Sequence, residues 1–271
     1  APIPMTSHLF QSEERQHSPS VFQVSAAAGG RPVVDFCYLS NKFFPTPELL
    51  AELGANLEDM VRNYPSMQQE QARLAGELTG FDPRHILVGN GASELIHLVA
   101  ARFGSRWLMA YPSYMEYENV IRDFNKHLQL HPLLEAENFE VNLARLLADI
   151  EEHRIDAVAL PNPNSPTGRL VPIESLLELL TRCAHLKAVV IDESFIEFAS
   201  VDRAGIPTLC DRLGQFPNLI IMRSLGKDFG VCGLRLGLVA TANLSFHGEL
   251  RRFLPIWNIS PLAEQIGRAH V

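Results

Sequence analysis

No run of about 18 consecutive apolar residues occurs in this chain of 271 residues, so no membrane-spanning helix is expected. Positive charge is in the minority: 23 Lys and Arg stand against 31 Asp and Glu, a net charge of −8, and no basic run exists. That balance argues against nucleic acid as the main partner. The opening APIPMTSHLF has no basic segment followed by an apolar one, which argues against a secretory leader. Cysteines number only four (Cys37, Cys183, Cys210 and Cys232), without C-x-x-C or metal-ligand spacing. They are expected to be buried free thiols of a reducing compartment, which points to a cytoplasmic protein. The ten histidines show no ligand spacing, and neither H-E-x-x-H nor G-x-x-x-x-G-K-[ST] occurs. Metal and nucleotide chemistry therefore have little support. There is no internal repeat and no low-complexity segment.

What is present is apolar material: 46% of residues are hydrophobic, enough for a substantial core. Residues 1–32 are polar and loop-like, with SAAAGGRP as a linker. PVVDFCYL reads as a short strand. Helices are expected at PTPELLAEL, at SMQQEQARLAGELTG closing on Gly80, and at ASELIHLVAARFG, with Leu95, Leu98, Val99 and Phe103 on one face. Further helices are expected at YMEYENVIRDF, FEVNLARLLADIEEH and IESLLELLTRCAH. HILVG, RWLMAYP, IDAVALPNP, LKAVVIDES, NLIIMRS and LRLGLVA read as strands. Continuous apolar strands alternating with amphipathic helices predict an α/β fold, a three-layer αβα sandwich with a mostly parallel sheet. The closing IGRAHV interrupts the helical pattern SPLAEQ and resembles a translated sequencing adapter. A gene fragment is expected, with its C-terminal part missing.

Polar clusters follow the strands: GNGAS after HILV, PNPNSPTG after AVAL, DES after AVVI and SLGKDFG after LIIMR. Ligands of open α/β sheets bind beyond the carboxyl ends of the strands, so the four clusters suggest one shared site. GNGASE lacks the third glycine of a dinucleotide fingerprint, yet the helix opening at Gly91, Ala92 and Ser93 offers free N–H groups to an anion. Ser224 and Arg235 suit the same anion. Taken singly, Lys227 is a solvated loop residue and Asp192 a loop cap. Taken together, an amine, a carboxylate, an anion site and an aromatic side chain, Tyr114, fit pyridoxal 5'-phosphate. Lys227 supplies the amine for covalent attachment. Asp192 keeps the ring nitrogen protonated, because a nearby negative charge favours the cation.

These residues carry a resemblance. NYPSM, GNGASELI, YPSYMEYE, PNPNSPTG, IDESFIEF and SLGKDFGVCGLRLG occur in order between about residues 33 and 265. They resemble the successive motifs of fold-type I pyridoxal-phosphate enzymes of the class I/II aminotransferase superfamily. The nearest branches are histidinol-phosphate aminotransferase and threonine-phosphate decarboxylase. The resemblance implies an arm at 1–32, the first part of a small domain at 33–64, a cofactor-binding large domain at 65–265, an incomplete small domain and a non-native tail at 266–271. It implies cofactor contacts from Gly91, Ala92, Ser93, Tyr114, Asn164, Ser165, Asp192, Phe195, Ser224, Lys227 and Arg235. It also implies that Tyr64 reaches the phosphate of a neighbouring subunit, hence a homodimer. Lys227 and Asp192 are the implied catalytic residues.

Two departures stand out. Ser165 replaces an asparagine and Phe195 a tyrosine that in the family hold the cofactor's phenolic oxygen. Phe195 is shared with the decarboxylase branch. Gly226 replaces a hydroxyl residue often found before the lysine. Asn164 and Ser165 have a second reading, as shapers of the NSPTG turn, and Tyr117 reads as packing. The first functional expectation is an aminotransferase with an amino donor and a keto-acid acceptor. The alternatives are a decarboxylase or lyase on the same scaffold and a non-catalytic binding domain. No helix-turn-helix segment precedes residue 33, which counts against the last. The arginine that grips the substrate carboxylate in the family is expected beyond residue 271.

Overall fold

The computed structural model describes residues 19–36, 38–202 and 205–268. Two compact units are present, Ala1–Leu39 and Ser40–Val271. In the described part of the first, α1 (Val21–Ala28) stands where a polar loop is expected. Its ends explain it: Ser20 and Gln23 form a reciprocal capping box, and Gly29 closes the helix at φ 59°. Residues 33–36 and 38–40 form no strand, contrary to the reading of PVVDFCYL. Cys37 and residues 1–18 lie outside the described residues.

The second unit holds α2 (Pro47–Ala55), α3 (Leu57–Arg62), α4 (Gln68–Thr79), β1 (Ile86–Asn90), α5 (Gly91–Arg102), β2 (Arg106–Tyr111), α6 (Met115–Asp123) and β3 (His127–Pro132). There follow α7 (Leu143–Glu152), β4 (Ala157–Pro161), α8 (Ile173–Arg182), β5 (Ala188–Asp192), β6 (Leu219–Ser224), α9 (Leu225–Asp228), β7 (Leu236–Ala240), α10 (Leu244–Phe253) and α11 (Pro261–Arg268). The seven strands form one sheet in the order β1-β7-β6-β5-β4-β2-β3. Every described pairing is parallel except those of β7, which is antiparallel to β1 and to β6. No helix among the described residues is long and apolar enough to cross a membrane.

Continuous apolar strands arise because both sheet faces are covered. Val158, Leu160, Val189, Ile191 and Ile221 face one core with Ala75, Leu146, Leu176 and Ala263. Their neighbours Ala157, Ala159, Val190, Ile220 and Met222 face the other with Leu95, Val99, Val120 and Leu250. Fully burying one such side chain stabilises the fold by about 1.5–3 kcal/mol. The α5 face holds as expected: Leu95, Val99 and Phe103 are buried, with Leu98 packed beside them. Gly80 ends α4 at φ 82°.

Several elements differ from the pattern. α7 begins only at Leu143, because Asn142 accepts the amide of Arg145 and so caps it there. β3, α3 and α10 are additional. α11 runs on through Arg268 with Ile266 buried, so the tail residues Ile266–Arg268 continue the helix rather than interrupt it. Cys183 is buried, but Cys210 and Cys232 are only half-buried.

The strand order gathers the site. Asn90, Tyr111, Pro161, Asp192 and Ser224 are the carboxyl ends of parallel strands along one edge. β7 runs the other way and starts at that edge, with Leu236 opposite Asn90 and Gly237 opposite Ser224. Arg235 therefore arrives beside residues that lie far away in sequence.

Candidate active site

Asp192 ends β5 and is buried. Its Oδ1 accepts the amide of Ser194 at 2.9 Å, and its Oδ2 accepts the hydroxyl of Tyr117 at 2.9 Å. Burial pushes the carboxyl above the usual carboxylate range, while the bonds from Ser194 and Tyr117 pull it back. No cationic side chain pairs with it among the described residues. Tyr117 is itself buried, and burial together with the Asp192 charge holds its hydroxyl well above the ordinary tyrosine range. Tyr117 is thus part of the site, not packing alone. A sequence signal existed: Tyr114 and Tyr117 are three apart at the start of a helix and share a face.

Tyr114 precedes α6 and shares a hydrogen bond with the Ser93 side chain. Its hydroxyl is raised mainly by burial, with Asp192 acting in the same direction and Arg235 against it, so all four residues lie in one neighbourhood. Its ring meets that of Tyr117 edge-on at 6.4 Å.

α5 opens at the end of β1, and the side chain of Asn90 does not cap its first turn. Gly91 has φ 76°, and a Cβ there would fall on the Arg235 guanidinium. A Cβ at Gly237 would lie 2.5 Å from the Ala92 amide nitrogen. Two glycines thus bring a guanidinium and β7 against the amide end of a twelve-residue helix. Both the helix dipole and the exposed guanidinium attract an anion at this place.

Lys227 is half-buried on the one-turn helix α9, with its Nζ 5.6 Å from the centre of the Phe195 ring. Ser224 leads into α9, and its amide donates to the hydroxyl oxygen of Ser194 at 2.8 Å. Ser194 joins the ends of β5 and β6, a role the sequence did not announce. Gly226 packs closely: a Cβ there would sit 3.0 Å from the Cys232 Cα, so a larger residue needs the neighbouring backbone to shift by a few tenths of an ångström. Behind these strand ends Arg223 is buried and binds Glu193 at 2.8 Å.

Asn164 is buried, and the turn uses its amide. Its Oδ1 accepts from Ser113 at 2.6 Å, and its Nδ2 donates to the Pro112 carbonyl at 3.0 Å and to Thr167 at 2.9 Å. These bonds favour the turn-shaping reading for Asn164. Ser165 is half-buried next to it. Tyr64 makes a different contact. It is 76% exposed and stacked on Trp257 at 4.2 Å.

A sequence profile of the family aminotransferase class I and II matches residues 33–270. The CMP-5'-(3-aminopropyl)phosphonate synthase of Streptomyces rubellomurinus is 33% identical, over 87% of this chain and 36% of its own. The L-serine phosphate decarboxylase of Campylobacter jejuni is 30% identical, over 94% of this chain and 67% of its own. The crystal structure of a histidinol-phosphate aminotransferase from Clostridium acetobutylicum superposes with a TM-score of 0.77 at 25% identity, over 87% of this chain and 68% of that one. The chain therefore spans about a third of the first of these relatives and about two thirds of the others.

Proposed function

Because this chain belongs to the class I and II aminotransferase family, whose members work with pyridoxal phosphate, we propose that it acts at the α-carbon of a phosphorylated amino acid and releases the carboxylate as CO2. The observation that carries this reading is Phe195 beside Lys227. An apolar ring next to the amine solvates a charged carboxylate poorly and so favours its loss as neutral CO2, with the bonding electron pair staying behind at the α-carbon. The likeness to an L-serine phosphate decarboxylase over 94% of the chain supports it.

The residues fit the cofactor. A buried carboxyl pushed upward by burial, with no cationic side chain paired to it among the described residues, is matched by a protonated ring nitrogen. The cradle of Gly91 and Gly237 under Arg235 matches a phosphate. When bound, the group supplies a sink for the electron pair left at the substrate α-carbon. Asp192, oriented by Tyr117 and Ser194, holds the proton on the ring nitrogen. The Ala92 and Ser93 amides, the Ser224 hydroxyl and Arg235 hold the phosphate. Tyr114 covers the ring face. Lys227 would hold the cofactor covalently, and its amine, when free, would carry a proton to or from the α-carbon. Ser165, and Asn164 through the turn that it shapes, would help to hold the ring. Tyr64 of a second copy completes the phosphate site, so the working form is a homodimer.

Transamination between an amino donor and a keto-acid acceptor is the second reading. It is favoured by the Lys227 amine, which serves proton transfer equally well, and by the likeness to a histidinol-phosphate aminotransferase. One experiment separates the two. The reading frame containing this chain is expressed, supplied with pyridoxal phosphate and given O-phospho-L-serine, O-phospho-L-threonine or histidinol phosphate, with and without 2-oxoglutarate. CO2 release that needs no keto acid is expected. Amino transfer without CO2 establishes the second reading, and neither product overturns both.

A further inference from the structure

The short helix that carries Lys227 has a second support, one outside the motifs at the strand ends. α9 is only four residues long, so its last carbonyls find little satisfaction within it. Asn41 meets them. Its backbone amide donates to the Lys227 carbonyl at 2.8 Å, and its Nδ2 donates to the Asp228 carbonyl at 2.9 Å. The Oδ1 of the same side chain accepts the Phe43 amide at 2.9 Å, which folds residues 41–44 into a strap. The strap lies close enough to require a glycine: at Gly230, φ 58°, a Cβ would collide with the Asn41 and Phe44 carbonyl oxygens. Phe44 meets Phe229 edge-on at 6.0 Å. Beneath them Leu49, Leu53, Val231 and Ile266 form a separate apolar cluster that anchors the strap.

We propose that Asn41 is a positioning residue for Lys227: it caps the carbonyl end of α9 and so fixes where the lysine side chain leaves the backbone. The inference rests on the reading that Lys227 carries the cofactor. It adds that the reactive amine is aimed from a segment 186 residues away, by contacts to main-chain carbonyls. Such contacts act through the direction of α9 and are present without substrate.

The consequence is measurable in two ways. In cofactor-free protein, amide exchange of residues 225–231 rises about tenfold in Asn41→Ala, the effect on α9 of losing the Nδ2 bond to the Asp228 carbonyl, about 1.4 kcal/mol, while the bond from the Phe43 amide is lost with it. In protein supplied with pyridoxal phosphate, borohydride-fixed attachment to Lys227 slows by about the same factor, and kcat falls while KM stays. Asn41→Asp keeps the acceptor for Phe43 and loses the donor to Asp228. The same losses in that variant assign the effect to α9 and not to the turn. Phe43→Ala, at a side chain 94% exposed, leaves all three readings unchanged. Exchange and attachment within twofold of the native chain in both Asn41 variants overturn the proposal. So does a rise in KM alone, which would make Asn41 a substrate contact. Failure of the native chain to attach cofactor at Lys227 refutes the functional reading instead, while the exchange measurement still decides whether Asn41 holds α9.

Discussion

The Tyr117 hydroxyl donates to Asp192 Oδ2 at 2.9 Å, joining the first turns of α6 to the end of β5 in a buried contact. A neutral donor on a buried carboxylate lowers its pKa and fixes its direction.

Removing that donor has a defined effect. Tyr117→Phe is expected to lower stability by about 1–3 kcal/mol, since Asp192 loses one of its partners in a buried place. It also pushes the Asp192 carboxyl further up. A double-mutant cycle with Asp192→Asn, read by urea unfolding, is expected to show coupling of about 0.5–3 kcal/mol. Strict additivity would mean that the two side chains act independently.

Asp192→Asn itself keeps the chain's volume and its fold. Borohydride is still expected to fix pyridoxal phosphate onto Lys227, found by peptide mass spectrometry. Turnover falls by orders of magnitude, because an amide cannot hold the ring nitrogen protonated. A kcat near that of the native protein removes Asp192 from the catalytic role.

Gly91→Ala tests the anion cradle. Its φ of 76° costs a non-glycine residue about 1–3 kcal/mol, and the added methyl displaces the Arg235 guanidinium. Pyridoxal phosphate affinity, followed by absorbance titration, is expected to fall at least tenfold, and affinity for pyridoxal without phosphate far less. An equal loss for both ligands places the phosphate elsewhere.

Asp228 sets a pH dependence. Burial, reinforced by the Glu197 charge and opposed by Arg223, pushes its carboxyl up to about 7. An unfolded aspartate titrates near ~3.9. Between those values the folded chain holds a proton that the unfolded chain has released. This contribution is therefore complete below about pH 4 and declines as pH rises toward 7. Asp228→Asn is expected to flatten the fall of the urea midpoint across that window, by up to about 1.4 kcal/mol per pH unit. Some slope remains, since Asp192 is raised in the same direction. An unchanged slope means that Asp228 is ionised throughout.

The sequence made the layered sheet readable, because strands covered on both faces are written as unbroken apolar runs such as AVVI and LIIM. It was silent where a strand is covered less. β3, HLQLHP, ends the sheet beside β2 among the described residues, and its polar residues hid it. The direction of β7 was not legible either, since local pattern does not encode whether a neighbour runs parallel or antiparallel. Among the site residues, Lys227, Asp192 and Arg235 stood out by their place at strand ends. Tyr117, Ser194 and Asn41 did not. Each acts by bonding to another site element, and such a partner becomes visible only when strands distant in sequence lie side by side.

The reversal at β7 has a geometric consequence. Lys227 and Arg235 are the two ends of a single short excursion, out of the sheet along α9 and back in at Leu236. The length of that excursion is a molecular ruler, since it sets the gap between Lys227, the proposed covalent anchor, and the Arg235 guanidinium proposed to bind the phosphate. The close approach of the Asn41 and Phe44 carbonyls at Gly230 leaves it little slack. Substitutions on its outward face, such as at the exposed Gly233, leave that gap alone. An inserted or deleted residue between 228 and 234 changes it, and the proposed cofactor is then expected to lose its hold at one end.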